Sequence, residues 1–366
     1  MMSLVLNEDE IMLADATRGL LDRAAPVSAF RALRDSGAEL RYTPELLAAL
    51  AENGLVAPNI AEDDGGVGLG AAAVGVIIEQ AAHNLAAAPL LSAAMAAELI
   101  GRLGSAEQHE KLLPAIMAGE MVIACALEEV PRHNPARLET VAEGAQLTGR
   151  KTAVIDGVGA DRLLVSARKG DAIGLFLVDP ADSCCKVEGI ASVDGRNLAT
   201  VTLAGAKGDL VGSGDASEAI AATFDLGRAL LAAELLGLAD HAFDMTVGYL
   251  KERKQFDRII GTYQALQHRA ARLYARLDLA RGVVLKALRA IDGKADDASH
   301  LASLAKCVMT DLARDVLAEA VQMHGGIGVT DEFDLGLYFK RSRVSGDLLG
   351  DDRFHAERLA KDKWGL

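Results

Sequence analysis

The stretch YLKERKQFDRIIGTYQALQH, Tyr249–His268, and the later QMHGGIGVT, Gln322–Thr330, decide how this chain is read. Both lie at the ends of long amphipathic runs. Apolar residues recur at helical spacing over about 215–253, 263–291 and 297–323, with a short final run near 351–361. Helices this close in sequence form a bundle. Asp215 and Glu218 offer a capping box at its start. Arg253 ends a helix, where a cation complements the negative end of the macrodipole. The same residue suits a phosphate clamp, because guanidinium is a planar, permanently charged fork. Gly325 and Gly326 follow a helix. They read as a C-cap turn, or as main chain stripped of Cβ so that a ligand can approach. Asp225 and Arg228 share a helix face at i, i+3. On the surface that is an ordinary ion pair; buried in a long helix it suggests ligand contact.

Outward from these stretches the pattern changes twice. Residues 1–119 read as a helical domain, with helical spacing over 8–22 and 44–53, a Gly-rich loop at Gly65–Gly70, and an Ala-rich segment near 85–100. That segment contains Pro89, Ser92 and Glu98, so it reads as a buried helix and not a membrane span. Residues 120–210 carry strand-length pieces at 121–127, 149–157, 162–166, 173–178 and 199–203, bounded by Gly, Asp and Pro. Such spacing predicts a small β-barrel or sandwich. Residues 211–366 are helical again. The fold class is therefore mainly α with a central β-domain.

Composition agrees. Of 366 residues, 51% are hydrophobic and only 4% aromatic, and Ala and Leu favour packed helices. A net charge of −14 argues against nucleic-acid binding, since phosphate backbones are repelled. Cys125, Cys184, Cys185 and Cys307 show no metal-ligand spacing, and the adjacent pair is poorly placed for a structural disulfide. The eight histidines form no metal constellation, and His324 beside the double glycine is the one of interest. No metal is expected. The N-terminus lacks a basic region followed by a long apolar core, so a cytoplasmic location is expected.

In this order and spacing, the two opening stretches resemble the C-terminal domain of acyl-CoA dehydrogenases. The resemblance also takes in Gly54–Pro58, the loop through Gly65, Gly66 and Gly68, Lys111–Pro114, and Gly119 with Glu120, so it spans nearly the whole chain. It implies an N-terminal helical domain, a middle β-domain and a C-terminal four-helix bundle. FAD is implied between β-domain and bundle, reaching across a subunit interface. By the same resemblance Arg253 and Phe256 contact the diphosphate and adenine end, and Tyr263 and Gln264 match the aromatic-Gln pair that follows. Gln322, Gly325 and Gly326 match the segment that a neighbouring subunit presents. Asp225 and Arg228 match positions lining the acyl-CoA site. The implied partners are an acyl-CoA substrate, an electron-transfer flavoprotein as electron acceptor, and either identical subunits or a paralogous dehydrogenase subunit, with no nucleic acid and no membrane.

The chemistry-bearing positions depart from the family. Its Thr-Glu-Pro and Gly-Ser-Asp loop becomes EEVPRHN, Glu128–Asn134. The Trp-Ile-Thr that flanks the flavin ring becomes Ala153, Val154 and Ile155, removing a hydroxyl donor to flavin N5. The glycine after Phe256 is Asp257. The commonest catalytic glutamate precedes a Gly-Thr near the C-terminus; anchoring on Gly350 puts Leu349 there, and a shift of two puts Asp351 there. The alternative base position, before Arg228, is Gly227. Desaturation needs a carboxylate to take the α-proton while flavin takes a hydride from the β-carbon, and leucine cannot accept a proton. A base misplaced by about 1 Å costs on the order of a hundredfold in rate. The expectation is an FAD-dependent acyl-CoA dehydrogenase subunit of fatty-acid or steroid breakdown. Its base would come from a paralogous partner or from Asp351. A non-redox binding or structural subunit and a flavin monooxygenase on the same fold are the alternatives.

Overall fold

The computed structural model describes residues 3–365. Helices α1 (Glu8–Ala24), α2 (Val27–Asp35), α3 (Pro44–Glu52), α4 (Gly70–His83), α5 (Leu90–Leu103) and α6 (Ala106–Met117) come first. Their starts follow local chemistry. Asn7 with Glu10 and Ser105 with Gln108 form reciprocal capping boxes, and Pro44 opens α3 where its missing N–H costs nothing. The Ala-rich segment is α5, buried over most of its length. Among the described residues no helix is long and apolar enough to cross a membrane.

Seven strands follow: β1 (Ile123–Ala126), β2 (Val141–Glu143), β3 (Gln146–Ile155), β4 (Arg162–Lys169), β5 (Ala172–Val178), β6 (Cys185–Gly189) and β7 (Leu198–Leu210). β4 pairs with β2, β2 with β3, β3 with β7, β7 with β5, and β5 returns to β4. That ring closes the sheet and leaves few open edges. β1 pairs parallel to β4, and β6 extends from β7. The β3–β7 register shifts between Lys151 and Val154, where Ala153 has φ 50°. A bulge of this kind re-aims side chains next to a site.

The chain then becomes helical: α7 (Ser217–Glu252), a two-strand hairpin of β8 (Lys254–Gln255) and β9 (Arg258–Ile259), α8 (Gln264–Asp292), α9 (Ala298–His324), α10 (Leu335–Asp347) and α11 (Asp352–Trp364). α7 is buried on almost every side from Ala219 to Ala239, as a helix apolar all round must be. It packs against α4, α5, α8, α9 and α10, and so becomes the axis of the molecule. Small residues set the approach: a Cβ on Gly237 would land on the Glu79 carbonyl and lie 2.9 Å from the Ala82 Cβ. Small residues on these faces thus serve tight helix packing.

The structure corrects the start of this region. Asp215 and Glu218 form no capping box. Ala216 is the N-cap, without a side-chain bond, and the Asp215 carboxylate instead accepts from Ile173 N at 2.9 Å and Ser217 Oγ at 2.8 Å. Asp215 therefore ties α7 to β5 and does not close a helix end. Gly237→Ala, which forces main chain against main chain, is expected to destabilise the fold by about 1–3 kcal/mol in denaturant unfolding.

Candidate functional site

Two separate places hold the candidate residues. The first is a small cavity where α5, β1, β3, α7 and the α10–α11 connection meet. Met95, Glu128, Ala153, Ile155, Phe224 and Leu349 are among its lining residues, and its volume is about 20 Å³. That is room for about one water molecule. Gly227 and Leu349, far apart in sequence, come together here: a Cβ on Gly227 would be 2.6 Å from Leu349 Cδ1 and 3.0 Å from Met95 Sδ. The two positions where the resemblance looks for a base are one spot in space. Leucine fills it, with no room for a side chain at 227.

Leu349 sits at φ 55° and Gly350 at φ 109°. This strained turn is held by its carbonyls. The buried Lys306 ammonium donates to Gly346 O at 2.6 Å, Gly350 O at 3.0 Å and Thr310 Oγ1 at 3.3 Å, using all three of its donors. Arg228 Nε and His355 Nε2 approach Leu349 O at 3.4 and 3.2 Å. Burial pulls Lys306 down to about 7, and Asp347 opposes that shift. Burial and the nearby cation Arg228 push His355 down to about 2, so its imidazole is neutral. Asp351 is not among the cavity residues. It is the N-cap of α11, accepting from Phe354 N at 2.7 Å, with Arg132 3.9 Å away. A carboxylate committed to a helix end is poorly placed to serve as base.

Asp225 and Arg228 are buried, as a ligand-contacting pair would be, but their donors and acceptors are used inside the chain. Arg228 Nη1 donates to Asp225 Oδ1 at 2.6 Å, and Nη2 lies 2.9 Å from His133 Nε2. Guanidinium only donates, so His133 Nε2 accepts and its Nδ1 carries the proton toward Glu128 Oε1, 2.5 Å away. Arg358 adds a 3.4 Å contact to Asp225. Phe224 and Phe354 flank the guanidinium at 5.7 and 5.8 Å. Burial lowers the Arg228 pKa, with Asp225 resisting. This chain of polar groups joins the loop after β1 to α7 and α11 and walls the cavity. Next to it Lys151, fully buried, donates to Glu129 at 2.7 Å and Ser166 at 3.0 Å.

The second place is an exposed rim at the far end of α7. Arg253 caps α7, and Phe256 stands at the hairpin tip with φ 53°, 86% exposed. Gln264 opens α8 and Gln322 lies in the last turn of α9, both exposed. Gly325 takes φ 66° to end α9, and neither it nor Gly326 has any atom within 4 Å of an added Cβ. Tyr263 is half-buried under Arg258, whose guanidinium lies 3.8 Å from the ring centroid, so that ring face is taken. Tyr249 and His324 stack at 4.6 Å and bring the ends of α7 and α9 together. One chain thus presents both Arg253 and the glycine segment at one end of its bundle.

Among the described residues one group has metal-ligand reach, Glu79, His83 and Asp240. Arg281 stands between its carboxylates, bonded to Glu79 and 3.2 Å from Asp240.

The comparisons with known proteins agree with this architecture. Residues 7–120 match the acyl-CoA dehydrogenase N-terminal domain and residues 217–363 the acyl-CoA dehydrogenase C-terminal domain. Acyl-CoA dehydrogenase IpdE2 of Mycolicibacterium smegmatis is 33% identical, over 97% of this chain and 98% of its own. A solved steroid acyl-CoA dehydrogenase, a variant of Tcur3481–Tcur3483, superposes with TM-score 0.89 at 32% identity, covering 97% of both chains. The ChsE4–ChsE5 complex of Mycobacterium tuberculosis superposes with TM-score 0.89 at 26% identity, over 99% of this chain and 98% of that one. The chain belongs to the acyl-CoA dehydrogenase family. It is thereby placed among the FAD flavoprotein oxidoreductases that act on CH–CH bonds in fatty-acid or steroid catabolism.

No local pattern signals that the loop carrying Glu128 and His133 meets Arg228, which comes from the distant α7. Lys306 does leave a trace: it is a lone charge on the apolar stripe of α9 between Ala302 and Met309.

Asp351→Asn keeps the cap but cannot accept a proton. It is expected to leave both stability and turnover of the assembled enzyme unchanged, whereas Asp351→Ala lowers stability by about 1 kcal/mol. Loss of turnover in the Asn variant would make Asp351 the base. For Lys306 the folded pKa lies below the unfolded one, so between about pH 7 and 10 the unfolded chain holds more protons and stability from this group rises with pH. Lys306→Met is expected to abolish that rise. It should also cost about 1–3 kcal/mol near pH 6.5, where Gly346 and Gly350 lose their donor; urea titrations at pH 6.5 and 9 read both effects.

Proposed function

We propose that this chain is the partner-dependent subunit of a heteromeric FAD-linked acyl-CoA dehydrogenase. It lends its rim to a flavin held mainly by a paralogous chain, which also supplies the carboxylate base. The observation that carries this reading is the contrast between the two places. The cavity of about 20 Å³ does not fit an isoalloxazine ring, and Leu349 stands in it where a base would be needed. The rim does fit the diphosphate and adenine end: Arg253 is exposed, and Gly325 and Gly326 face open space.

The span of α7 supports a second chain. Arg228 and Arg253 lie on one helix, about 38 Å apart along its axis. One extended dinucleotide does not bridge that distance, so the rim and the cavity of one chain serve different sites. The names of two similar solved structures, Tcur3481–Tcur3483 and ChsE4–ChsE5, each pair two chains, and the former is a steroid enzyme. By that likeness the acyl group is a steroid-derived thioester.

When bound, FAD supplies the hydride acceptor for the β-carbon. This chain's share is binding and orientation. Arg253 offers a charge-assisted fork to a phosphate oxygen, and the glycine main chain permits close approach. Phe256 covers apolar cofactor surface, and Gln264 and Gln322 offer amide contacts at the same end. Asp225 and Arg228 lie behind the cavity, bonded within the chain, and do not receive an acyl-CoA. An electron-transfer flavoprotein is the electron acceptor of the assembled enzyme. A non-redox structural subunit would share the closed cavity but has no use for a rim of this composition.

The absorbance spectrum tests the reading. The chain purified alone is expected to be colourless and inert. Co-expressed with its paralogous chain it is expected to be yellow, with about one flavin per pair, and active on acyl-CoA with an artificial acceptor. Arg253→Ala is expected to weaken flavin retention by the pair by about 1.5–3 kcal/mol, a charged hydrogen bond's worth. A yellow, active lone chain, or a colourless pair, overturns the proposal.

A further inference from the structure

The exposed parts of the rim come from different helices, and one buried imidazole joins them. His324 ends α9 and is 3% exposed. Its ring stacks on Tyr249 with planes at 29° and meets Phe333 at 4.9 Å. Tyr249 lies one turn before Arg253, whose amide donates to the Tyr249 carbonyl at 2.9 Å. On the other side His324 directly precedes Gly325, and the chain folds back so that a Cβ on Gly328 would be 3.0 Å from the His324 Cβ. The segment after the hairpin is equally close to α7: a Cβ on Gly261 would be 2.7 Å from the Leu250 carbonyl oxygen. Each exposed segment is thus seated on its own helix end, and the Tyr249–His324 stack ties those ends to one another.

The ring's orientation is fixed. Nδ1 lies 2.8 Å from the Ala320 carbonyl oxygen, which can only accept, so Nδ1 carries the proton. That bond stops rotation about the ring axis and sets the plane that Tyr249 meets. Nε2 is left as a buried acceptor with no partner among the described residues, a costly arrangement for a residue that only fills space. Because the ring is buried, it acts on whatever binds at the glycines through Tyr249 and Gly325 and does not touch it.

We propose that His324 is the positioning residue of the rim. It holds Arg253 and the Gly325–Gly326 main chain as one surface for the diphosphate and adenine end of the partner-bound FAD. This rests on the function proposed above and adds the device that keeps the lent half-site in shape.

Two measurements test it: amide hydrogen exchange on the isolated chain, and flavin retained by the pair through gel filtration. His324→Ala is expected to speed exchange about tenfold or more in both 253–259 and 325–329, while β3 and β7 keep their protection. Flavin retained by the pair is expected to fall about fivefold or more. His324→Phe keeps an aromatic face for Tyr249 and removes the bare acceptor, so it is expected to restore both readouts. The inference is overturned if His324→Ala loosens neither segment or only 325–329, or if His324→Phe behaves like His324→Ala. A wild-type pair without flavin defeats the functional reading instead; the exchange comparison then still decides whether His324 couples the two segments.

Discussion

Everything in this molecule is arranged along α7, a 36-residue helix with almost no face left to solvent over its first two-thirds. Gly237 lets it lie against the α4 main chain, and its other faces are taken by α5, α8, α9 and α10. A rod packed this way cannot bend or slide without opening the core. It therefore fixes two chemistries at a set separation. Phe224 lines a closed cavity beside Gly227 and Arg228, and Tyr249 and Arg253 lie at an exposed rim. The division of labour proposed for the subunit follows from that rigidity.

The inner place is filled by an apolar side chain, Leu349, packed against Gly227 and Met95. The turn carrying Leu349 has left-handed φ, and the Gly346, Leu349 and Gly350 carbonyls are tied to Lys306, Arg228 or His355. The polar groups around it are satisfied among themselves, from Glu128 through His133 and Arg228 to Asp225. Buried charges with all partners supplied inside the chain resist recruitment by a ligand, because recruitment would strand one of them.

Legibility in the sequence tracks period and length. α7, α8 and α9 announce themselves through long apolar repeats, and α5 through its Ala-rich run. β3, β4, β5 and β7 show strand-length apolar pieces. β2 and β6 do not, being three and five residues long with little buried surface, and α10 is hidden by its Lys, Arg and Ser content. Ring closure of the sheet depends on β5 meeting both β4 and β7, a pairing no local pattern encodes. At the site, residue types are readable but neighbours are not. Gly227 beside Leu349, and Tyr249 beside His324, are contacts across long sequence separation. The expected Asp215 cap fails because its carboxylate finds a better donor on a strand, Ile173 N.

Phe256 carries a consequence for the cell. An aromatic side chain 86% exposed on a hairpin tip is apolar surface that association with a second polypeptide would cover. On the pairing proposed above, synthesis in excess of the mate would leave that side chain unshielded.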